Sequence, residues 1–169
     1  MENQQERLVM ANPIFTEQLK WFLSGFIDGE GSFCLNIKKR PDTKYGLRIE
    51  PAFYVYQHEK SIYILELLRK MFECGNIHRK TSPYSVFTYQ ISGIKPCYTR
   101  VIPFFDKYPL IVKARTFEIF KSAVDFMYRK QHLSKEGFLH LVDFAYEINQ
   151  QGKGKKWEKE AIITRILRD

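Results

Sequence analysis

Two carboxylates, Asp28 and Glu30, stand near the end of a helix that the sequence predicts. Thr16 is the expected N-cap, Gly29 and Gly31 end the helix, and apolar residues recur at helical spacing between them: Leu19, Phe22, Leu23, Phe26 and Ile27. The C-terminus of a helix is the negative end of its dipole, where each carboxylate costs about 0.3–1 kcal/mol. A positive group is therefore expected beside them, and a hard divalent cation is its simplest form.

The same helix carries a face without side chains. Gly25 and Gly29 are four residues apart, so they lie one above the other and allow a second backbone to approach closely. Residues 23–31 resemble the LAGLIDADG motif of homing endonucleases and intron maturases, with Ser24 in place of alanine and Glu30 as the final acid. The plainer alternative is an ordinary helix that ends in Asp-Gly and turns into a strand.

The resemblance extends over most of residues 19–124. Family members carry a glutamine near the end of the second strand, matched here by Gln57, and a lysine in a loop Tyr-Pro-Leu-x-x-Lys-x-Lys/Arg, matched by Lys113. One match is missing. Some relatives have a basic residue four positions after the glutamine, where this chain has Ser61, so either Lys60 replaces it or the site uses fewer basic groups.

The resemblance implies a catalytic trio of Glu30, Gln57 and Lys113. Hydrolysis of a phosphodiester needs an activated water, neutralised phosphate charge and a stabilised leaving oxygen. Glu30 would bind Mg²⁺ or Mn²⁺ together with the backbone carbonyl of Gly29, Gln57 would orient the water, and Lys113 would offset developing charge. Without the family pattern, Gln57 is an exposed strand-end amide and Lys113 a solvated loop lysine.

One copy of the motif has consequences for assembly. Cutting both strands of a duplex needs two active sites, and this chain supplies one, so the resemblance implies a homodimer. Its interface would contain Gly25, Asp28 and Gly29. In the family the position of Asp28 is mainly structural and ties the paired helix ends together, so Asp28 ranks behind Glu30 as a metal ligand.

The elements follow the order helix, strand, strand, helix, strand, strand, helix. This order predicts an α+β fold, the αββαββα fold of the family, in which a four-stranded antiparallel saddle sheet carries helices on one face, followed by C-terminal helices. Pro51 implies a bulge or an edge position, and Pro96 and Pro103 limit the regularity of their helix. The predicted strands are 32–40, 46–57, 76–80 and 85–91, the predicted helices are 61–72, 94–105, 117–127, 133–149 and 157–167, and 106–110 is an exposed connection. Residues 1–15 are predicted to be a flexible arm, 16–169 a single domain, and 150–154 a linker.

The outward faces of the strands predict a platform for double-stranded DNA. Polar, basic and aromatic side chains alternate there with apolar ones, as expected where a sheet contacts phosphates and base edges. The predicted DNA-binding residues are Ser32, Asn36, Lys38, Arg40, Lys44, Arg48, Glu50, Tyr54, Tyr56, His78, Lys80, Thr88, Gln90 and Arg115. For each strand taken singly, a solvated face of a half-buried sheet is an equally natural interpretation.

Composition limits the partners further. Lys and Arg outnumber Asp and Glu by 27 to 19, and the formal charge of +8 suits a polyanion. The 3 cysteines form no C-x-x-C pair, which predicts reduced thiols in an intracellular protein and argues against zinc. The 4 histidines show no H-N-H or H-E-x-x-H pattern, which disfavours a histidine-metal nuclease. No apolar run approaches the roughly 18 residues of a membrane span, and no signal peptide is predicted.

The leading hypothesis is a metal-dependent, site-specific double-strand DNA endonuclease of the intron-homing type, acting as a homodimer on a long pseudo-palindromic site. The first alternative is an RNA-binding intron maturase of the same fold that does not cleave, with intron RNA as its partner. The second is a DNA-binding regulator. The trio Glu30, Gln57 and Lys113 favours the enzyme, because a pure binder has no use for it.

Overall fold

The computed structural model describes residues 13–81, 84–149 and 158–168. The predicted order of elements is confirmed over these ranges. The first half of the chain contains helix α1 at Glu17–Glu30, strands β1 at Gly31–Lys39 and β2 at Leu47–His58, a 3₁₀ turn at Glu59–Ser61, helix α2 at Ile62–Phe72, and strands β3 at Asn76–Arg79 and β4 at Val86–Ser92. Helices α3 at Ile94–Pro96 and α4 at Ile102–Lys107 follow, joined by a π-helical segment at Cys97–Val101. The last elements are helix α5 at Ala114–Tyr128, a 3₁₀ turn at Gln131–Leu133, and helices α6 at Lys135–Ile148 and α7 at Lys159–Arg168.

The strands form one antiparallel sheet in the order β1-β2-β4-β3, which confirms the predicted α+β class. The β1–β2 register is unbroken from Gly31 opposite Val55 to Lys39 opposite Leu47. Side chains alternate between the two faces of a strand, and here one face is buried beneath helices while the other keeps its polar residues. The sheet therefore presents a single polar surface.

Pro51 lies inside β2 opposite Leu35, and the register continues through it without an extra residue. The bulge that the sequence allowed is therefore absent. Pro51 takes the alternative position, at a point where β2 is paired with β1 on one side but not yet with β4 on the other. Pairing with β4 begins one residue later, at Ala52 opposite Ser92. The carbonyl of Pro51 accepts the N–H of Gly93 at 2.9 Å, on the side where a regular ladder would also need the N–H that proline lacks.

The helix predicted at 94–105 is interrupted, as its two prolines indicated. Pro103 has no N–H to donate, so the regular ladder cannot continue through it. The N–H of Ile102 bonds to the carbonyl of Cys97, five residues back, which is the geometry of a π-helix. The irregular segment lies between Pro96 and Pro103.

Aromatic packing holds the sheet against the helices. The ring of Phe33 in β1 lies 5.2–5.5 Å from the rings of Phe53, Phe105, Phe117 and Phe120. Each fully buried large apolar side chain stabilises the fold by about 1.5–3 kcal/mol. These contacts join β1, β2, α4 and α5, and they give the end of α1 a rigid base.

The connection at 106–110, predicted to be exposed, is exposed only in part. Tyr108 and Leu110 are buried, because Tyr108 packs edge-on against Trp21 at 5.3 Å and donates its hydroxyl to the carboxylate of Glu17. The chain is thus fastened to α1 on its way to Lys113. A short polar connection can be buried when a helix from elsewhere in the chain covers it. The local sequence pattern does not indicate such a contact.

The C-terminal helices extend the helical layer. The apolar stripe of α6 is buried and consists of Phe138, Leu141, Val142 and Ala145. Beyond the end of α6, Asn149 donates its side-chain N–H to the carbonyl of Leu35 at 2.9 Å. The linker predicted at 150–154 and the arm up to residue 12 lie outside the described residues, while Phe15 packs partly against the core. Within the described ranges, no helix has the length and apolar character needed to span a membrane.

Candidate active site and nucleic-acid interface

Glu30 is the last residue of α1, and β1 begins directly after it. Its side chain is exposed, and among the described residues its carboxylate has no hydrogen-bond or ion-pair partner. Both oxygens of the carboxylate are therefore free for a ligand.

The positive group expected at this helix end is the ammonium of Lys113. Its Nζ donates to the backbone carbonyl of Asp28 and, at 2.9 Å, to that of Gly29. Carbonyls in the last turn of a helix lack intrahelical partners and carry the negative end of the dipole, so a lysine is favoured there. The sequence argument identified the charge but assigned it to a metal. The carbonyl of Gly29, predicted as a metal ligand, accepts a hydrogen bond from Lys113.

Asp28 acts within its own chain. Its Oδ2 accepts the backbone N–H groups of Ile111 and Val112 at 2.9 and 2.8 Å, and its Oδ1 accepts that of Lys113 at 2.8 Å. These contacts give Asp28 a structural role within one chain, and its place in a dimer interface stays a prediction. Asp28 as a whole is 8% exposed, and all of these donors belong to the loop that precedes α5. Both carboxylate oxygens already accept backbone N–H groups, which agrees with ranking Asp28 behind Glu30 as a metal ligand.

Burial raises the pKa of Asp28, but the three N–H donors and the charge of Lys113 outweigh it, so the pKa lies below the usual value. Asp28 is therefore ionised at neutral pH. It fixes the backbone of the loop whose lysine side chain returns to the carbonyls of residues 28 and 29. The aspartate and the lysine thus form one closed arrangement around the end of α1.

Sequence reasoning missed a second fastening of this loop. Ser24 is buried and donates its Oγ to the backbone carbonyl of Tyr108 at 2.7 Å. The departure of Ser24 from the alanine of the motif was the available signal, because a buried hydroxyl needs a partner. Ser24 and Asp28 therefore hold both ends of the segment 108–113.

Gln57 lies at the same end of the sheet as Glu30. Val55 is opposite Gly31, and Gln57 follows two residues later, opposite Phe87 of β4. By strand alternation its side chain is on the helix-covered face. Among the described residues its amide makes no hydrogen bond. The fold thus brings all three predicted catalytic residues to one region: Lys113 binds the carbonyls of the two residues before Glu30, and Gln57 lies at the adjacent strand end.

The glycine face of α1 is open. A Cβ built on Gly25 or Gly29 would meet no atom within 4 Å, so the space beside both residues is empty in a single chain. Phe22, one turn before Gly25, is 60% exposed. An apolar side chain beside two exposed glycines is a suitable surface for close helix packing.

The described residues of one chain do not form a metal cage. Within the residues that the structure describes, no group of three or more His, Cys, Asp or Glu side chains is placed to hold an ion. Hard divalent cations such as Mg²⁺ bind oxygen ligands and keep several waters or phosphate oxygens. The free Glu30 carboxylate fits such an ion as one ligand among several.

The polar face of the sheet combines residues from all four strands. Cross-strand pairing places Ser32 beside Tyr54, Tyr54 beside Gln90, and His78 beside Thr88. Neighbouring side chains also bind one another. The Asn36 amide donates to the Tyr54 hydroxyl at 2.9 Å, the rings of Tyr54 and Tyr56 stack at 6.0 Å, and the Lys80 ammonium lies 5.2 Å from the Tyr56 ring. These sheet residues therefore form one connected surface.

Several predicted DNA contacts are modified by their partners. Glu50 is paired with Lys38 at 2.5 Å and with Arg48 at 3.4 Å, so this carboxylate organises two cations instead of reaching outward. Arg40 is paired with Asp42, and its hydrogen bonds lower the pKa of Asp42 to about 2. Arg115 lies 3.7 Å from Glu147. Surface pairs of this kind are weak, about 0–1 kcal/mol, and a phosphate can displace them.

Thr88 requires a correction. Its side chain was predicted to contact DNA, but it is 3% exposed, because Tyr56 and His78 flank it on the neighbouring strands. Lys44 remains exposed at the β1–β2 turn, with its ammonium 5.3 Å from the Tyr45 ring. The cysteines are free thiols as predicted, and burial raises the pKa of Cys34, which lies on this face, to about 12.

Position 61, where some relatives have a basic residue and this chain has serine, lies on an exposed turn after β2. Ser61 closes the 3₁₀ turn Glu59–Ser61, and Lys60 is exposed on the same turn. The side chain of His58 caps this turn by accepting the N–H of Lys60 at 3.2 Å. Lys60 therefore stands three residues beyond Gln57, and among the described residues its side chain has no hydrogen-bond or ion-pair partner, so it is available to replace a basic residue at position 61.

Comparison with known proteins gives consistent matches. The sequence profile described as "LAGLIDADG endonuclease" matches residues 23–124. The homing endonuclease I-ApeII of Aeropyrum pernix is 30% identical over 82% of this chain and 83% of its own length. DNA endonuclease I-CeuI of Chlamydomonas moewusii is 28% identical over 75% of this chain.

A solved structure matches over nearly the whole chain. The archaeal intron-encoded homing endonuclease I-Vdi141I, complexed with DNA, has a TM-score of 0.81 and 28% identity, covering 90% of this chain and 98% of that one. The curated relatives differ in length. This chain spans 60% of I-CeuI and 28% of a probable intron-encoded endonuclease from Neurospora crassa.

Proposed function

Because the chain belongs to the LAGLIDADG endonuclease family, we propose that it is a site-specific, metal-dependent double-strand DNA endonuclease of the intron-homing type. The observation that carries this proposal is the unpaired carboxylate of Glu30, beside the Lys113 ammonium and at the strand end that bears Gln57. A binding protein would gain nothing from an unpaired carboxylate facing an anionic partner. A nuclease needs one as a metal ligand.

The roles of the three residues follow from their surroundings. Glu30 would hold the metal through its carboxylate oxygens. Gln57 has an unused amide that orients the attacking water. Lys113 is held in place by the helix carbonyls and by Asp28, so its positive charge is preorganised toward a phosphate bound at Glu30. When bound, Mg²⁺ or Mn²⁺ would supply Lewis acidity and neutralise phosphate charge.

The active unit in this proposal is a homodimer. Gly25 and Gly29 leave α1 open to a second backbone, and exposed Phe22 gains burial when that backbone arrives. A two-fold contact along this face would bring two copies of Glu30 together, one for each DNA strand. The shared site would then have more oxygen ligands than one chain supplies.

The bound DNA would lie along the two polar sheet faces. Two-fold symmetry predicts a pseudo-palindromic target, and its length follows from two sheets placed end to end. Tyr54, Gln90 and His78 are available for base edges, and the formal charge of +8 favours association with phosphate. We further propose that residues 16–169 act as one domain inside the cell, consistent with the intron-encoded relative and the free thiols.

The test is selection of cleaved sequences from a randomised duplex library, with wild type, Glu30→Gln and the control Glu118→Gln compared in Mg²⁺ and Mn²⁺. Glu118 is an exposed glutamate on α5, so its substitution makes the same charge change away from the site. We expect wild type and the control to return one pseudo-palindromic sequence. Glu30→Gln should bind that sequence but cut it about 10²–10³ times more slowly.

Two results would count against the proposal. If the wild type binds nucleic acid but never cuts a duplex in either metal, the non-cleaving maturase is the better interpretation, and binding to intron RNA should then be measured. If Glu30→Gln cuts as fast as wild type, the assignment of the metal ligand is wrong. The dimer has a separate test, since light scattering that gives a monomer, with one copy per DNA site, would contradict it.

A further inference from the structure

The C-terminal helix α7 is firmly docked. Ile162 and Ile166 are buried, and both ends of the helix are attached to α6. At its start Lys159 pairs with Asp143 at 2.8 Å, and at its end Lys135 donates to the carbonyl of Leu167 at 3.3 Å. Its remaining faces are therefore held in a defined orientation.

One of these faces has the composition of a phosphate site. Ala161, Thr164, Arg165 and Arg168 form a single stripe at helical spacing and line a shallow open groove. Within the described part of the chain, neither guanidinium has an ion-pair partner. Two unpaired guanidiniums and a hydroxyl around a small residue match the donor requirement of a phosphate.

The stripe adjoins the far end of the β-sheet. The guanidinium of Arg165 lies against Gly46, in the turn that joins β1 to β2, so closely that a Cβ there would collide with it. Gly46 also has a positive φ of +63°, which a side chain would strain. The same turn carries Arg40 and Lys44. The helix and the turn therefore form one basic surface.

This surface is remote from the catalytic region. Glu30 precedes Gly31 at one end of β1, and Lys39 is at the other end. Eight strand steps of about 3.3 Å separate Gly31 from Lys39, or about 26 Å along the sheet. At about 3.4 Å per base pair, this corresponds to roughly eight base pairs of duplex.

We propose that the Ala161–Thr164–Arg165–Arg168 stripe binds a backbone phosphate in the outer flank of the bound duplex, roughly eight base pairs from the cut. The inference rests on the proposed DNA-binding function and extends it to a helix outside residues 23–124, the range that matches the family profile. The contact is to phosphate, so it adds affinity and register without reading sequence.

The test uses the duplex that the wild type selects, at full length and trimmed to end about six base pairs from the cut. Binding is measured across a series of KCl concentrations for wild type, Arg165→Gln/Arg168→Gln, the charge-keeping Arg165→Lys/Arg168→Lys, and Ala161→Glu. Ser122→Glu, at an exposed position of α5, is the matched control for added charge. Thermal unfolding of each variant reports whether α7 remains folded.

On the full-length duplex, we expect the salt slope of the Gln variant to fall by about 0.9 for each phosphate that the protein no longer neutralises. Ala161→Glu should weaken binding, while the Lys variant and Ser122→Glu should resemble wild type. On the trimmed duplex, all variants should bind as the wild type does, because the phosphate is gone.

Two outcomes distinguish this inference from the function on which it rests. If the wild type binds and cleaves but the Gln variant keeps the wild-type slope on the full-length duplex, the phosphate contact is refuted and the endonuclease stands. If the wild type binds no duplex at all, both proposals fail. An equal loss of affinity on full-length and trimmed duplexes would show that Arg165 and Arg168 act through stability and not through the flank.

Discussion

Substitution of Asp28 by asparagine tests the arrangement around the end of α1 directly. The carboxylate accepts three backbone N–H groups, from Ile111, Val112 and Lys113, and it is nearly buried. Asparagine has almost the same shape, but it offers one carbonyl oxygen and an amino group. The change therefore removes acceptors and charge without creating a cavity.

The magnitude follows from these hydrogen bonds. If the asparagine carbonyl takes the place of Oδ2, it keeps the bonds from Ile111 and Val112, while its amino group faces the N–H of Lys113. The unsatisfied N–H costs about 1–3 kcal/mol, and the two remaining bonds lose the contribution of the charge. The free energy of unfolding should fall by about 2–4 kcal/mol, a large share of the roughly 5–15 kcal/mol of a typical domain.

The pH dependence gives a second signature. The pKa of Asp28 is lowered in the folded protein, so its contribution to stability is complete above the ordinary carboxyl pKa near 3.9 and is lost as the pH falls through the lower folded value. Asp28→Asn should lack this contribution at neutral pH. Below about pH 4 its stability should approach that of the wild type.

Urea unfolding followed by circular dichroism, at pH 7 and in acid, measures both effects, and cleavage of the selected duplex reports on Lys113. Asp125→Asn is the control, because Asp125 forms an exposed pair with Arg129 and should change stability by less than about 1 kcal/mol. An Asp28→Asn protein as stable and as active as wild type would refute the closed arrangement of Asp28, the loop and Lys113.

Three further substitutions test other parts of the site. Gly25→Leu should raise the free energy of unfolding of the isolated chain by up to about 1 kcal/mol, because the space beside Gly25 is open and glycine disfavours a helix. The same substitution should weaken the dimer in analytical ultracentrifugation. A dimer of unchanged affinity would contradict the glycine contact. Lys113→Met should slow cleavage by about 10²–10³ while duplex affinity changes little, and equal losses in both would point to a binding role. Ser24→Ala should lower the free energy of unfolding by about 1 kcal/mol in urea titration, since the carbonyl of Tyr108 loses its donor, and no change would mean that another group replaces the hydroxyl.

Local patterns were sufficient for the elements and for much of the core. The cap at Thr16, the alternation of apolar and polar side chains along β1, and the helix at 117–127 are all present as predicted. Each depends on spacing within a few residues, because the periods of helices and strands are set by the backbone. The apolar residue types alone then determine which face is buried.

The same reasoning identified the trio Glu30, Gln57 and Lys113 through a family resemblance, and the fold brings these residues to one region. It did not identify what their neighbours do. The buried position of Thr88 depends on the side chains of two adjacent strands, and the buried position of Tyr108 depends on α1. Neither relation exists in the local sequence.

At the end of α1, what the sequence determines differs most clearly from what the tertiary structure decides. The sequence by itself determined that two carboxylates stand at the negative end of a helix dipole and that a positive charge must compensate it. Only the tertiary structure decided that the charge is Lys113 and that Asp28 binds the loop at 111–113. These partners are more than 80 residues apart. Hydrogen bonds over such a separation form only after the core has brought the two segments together.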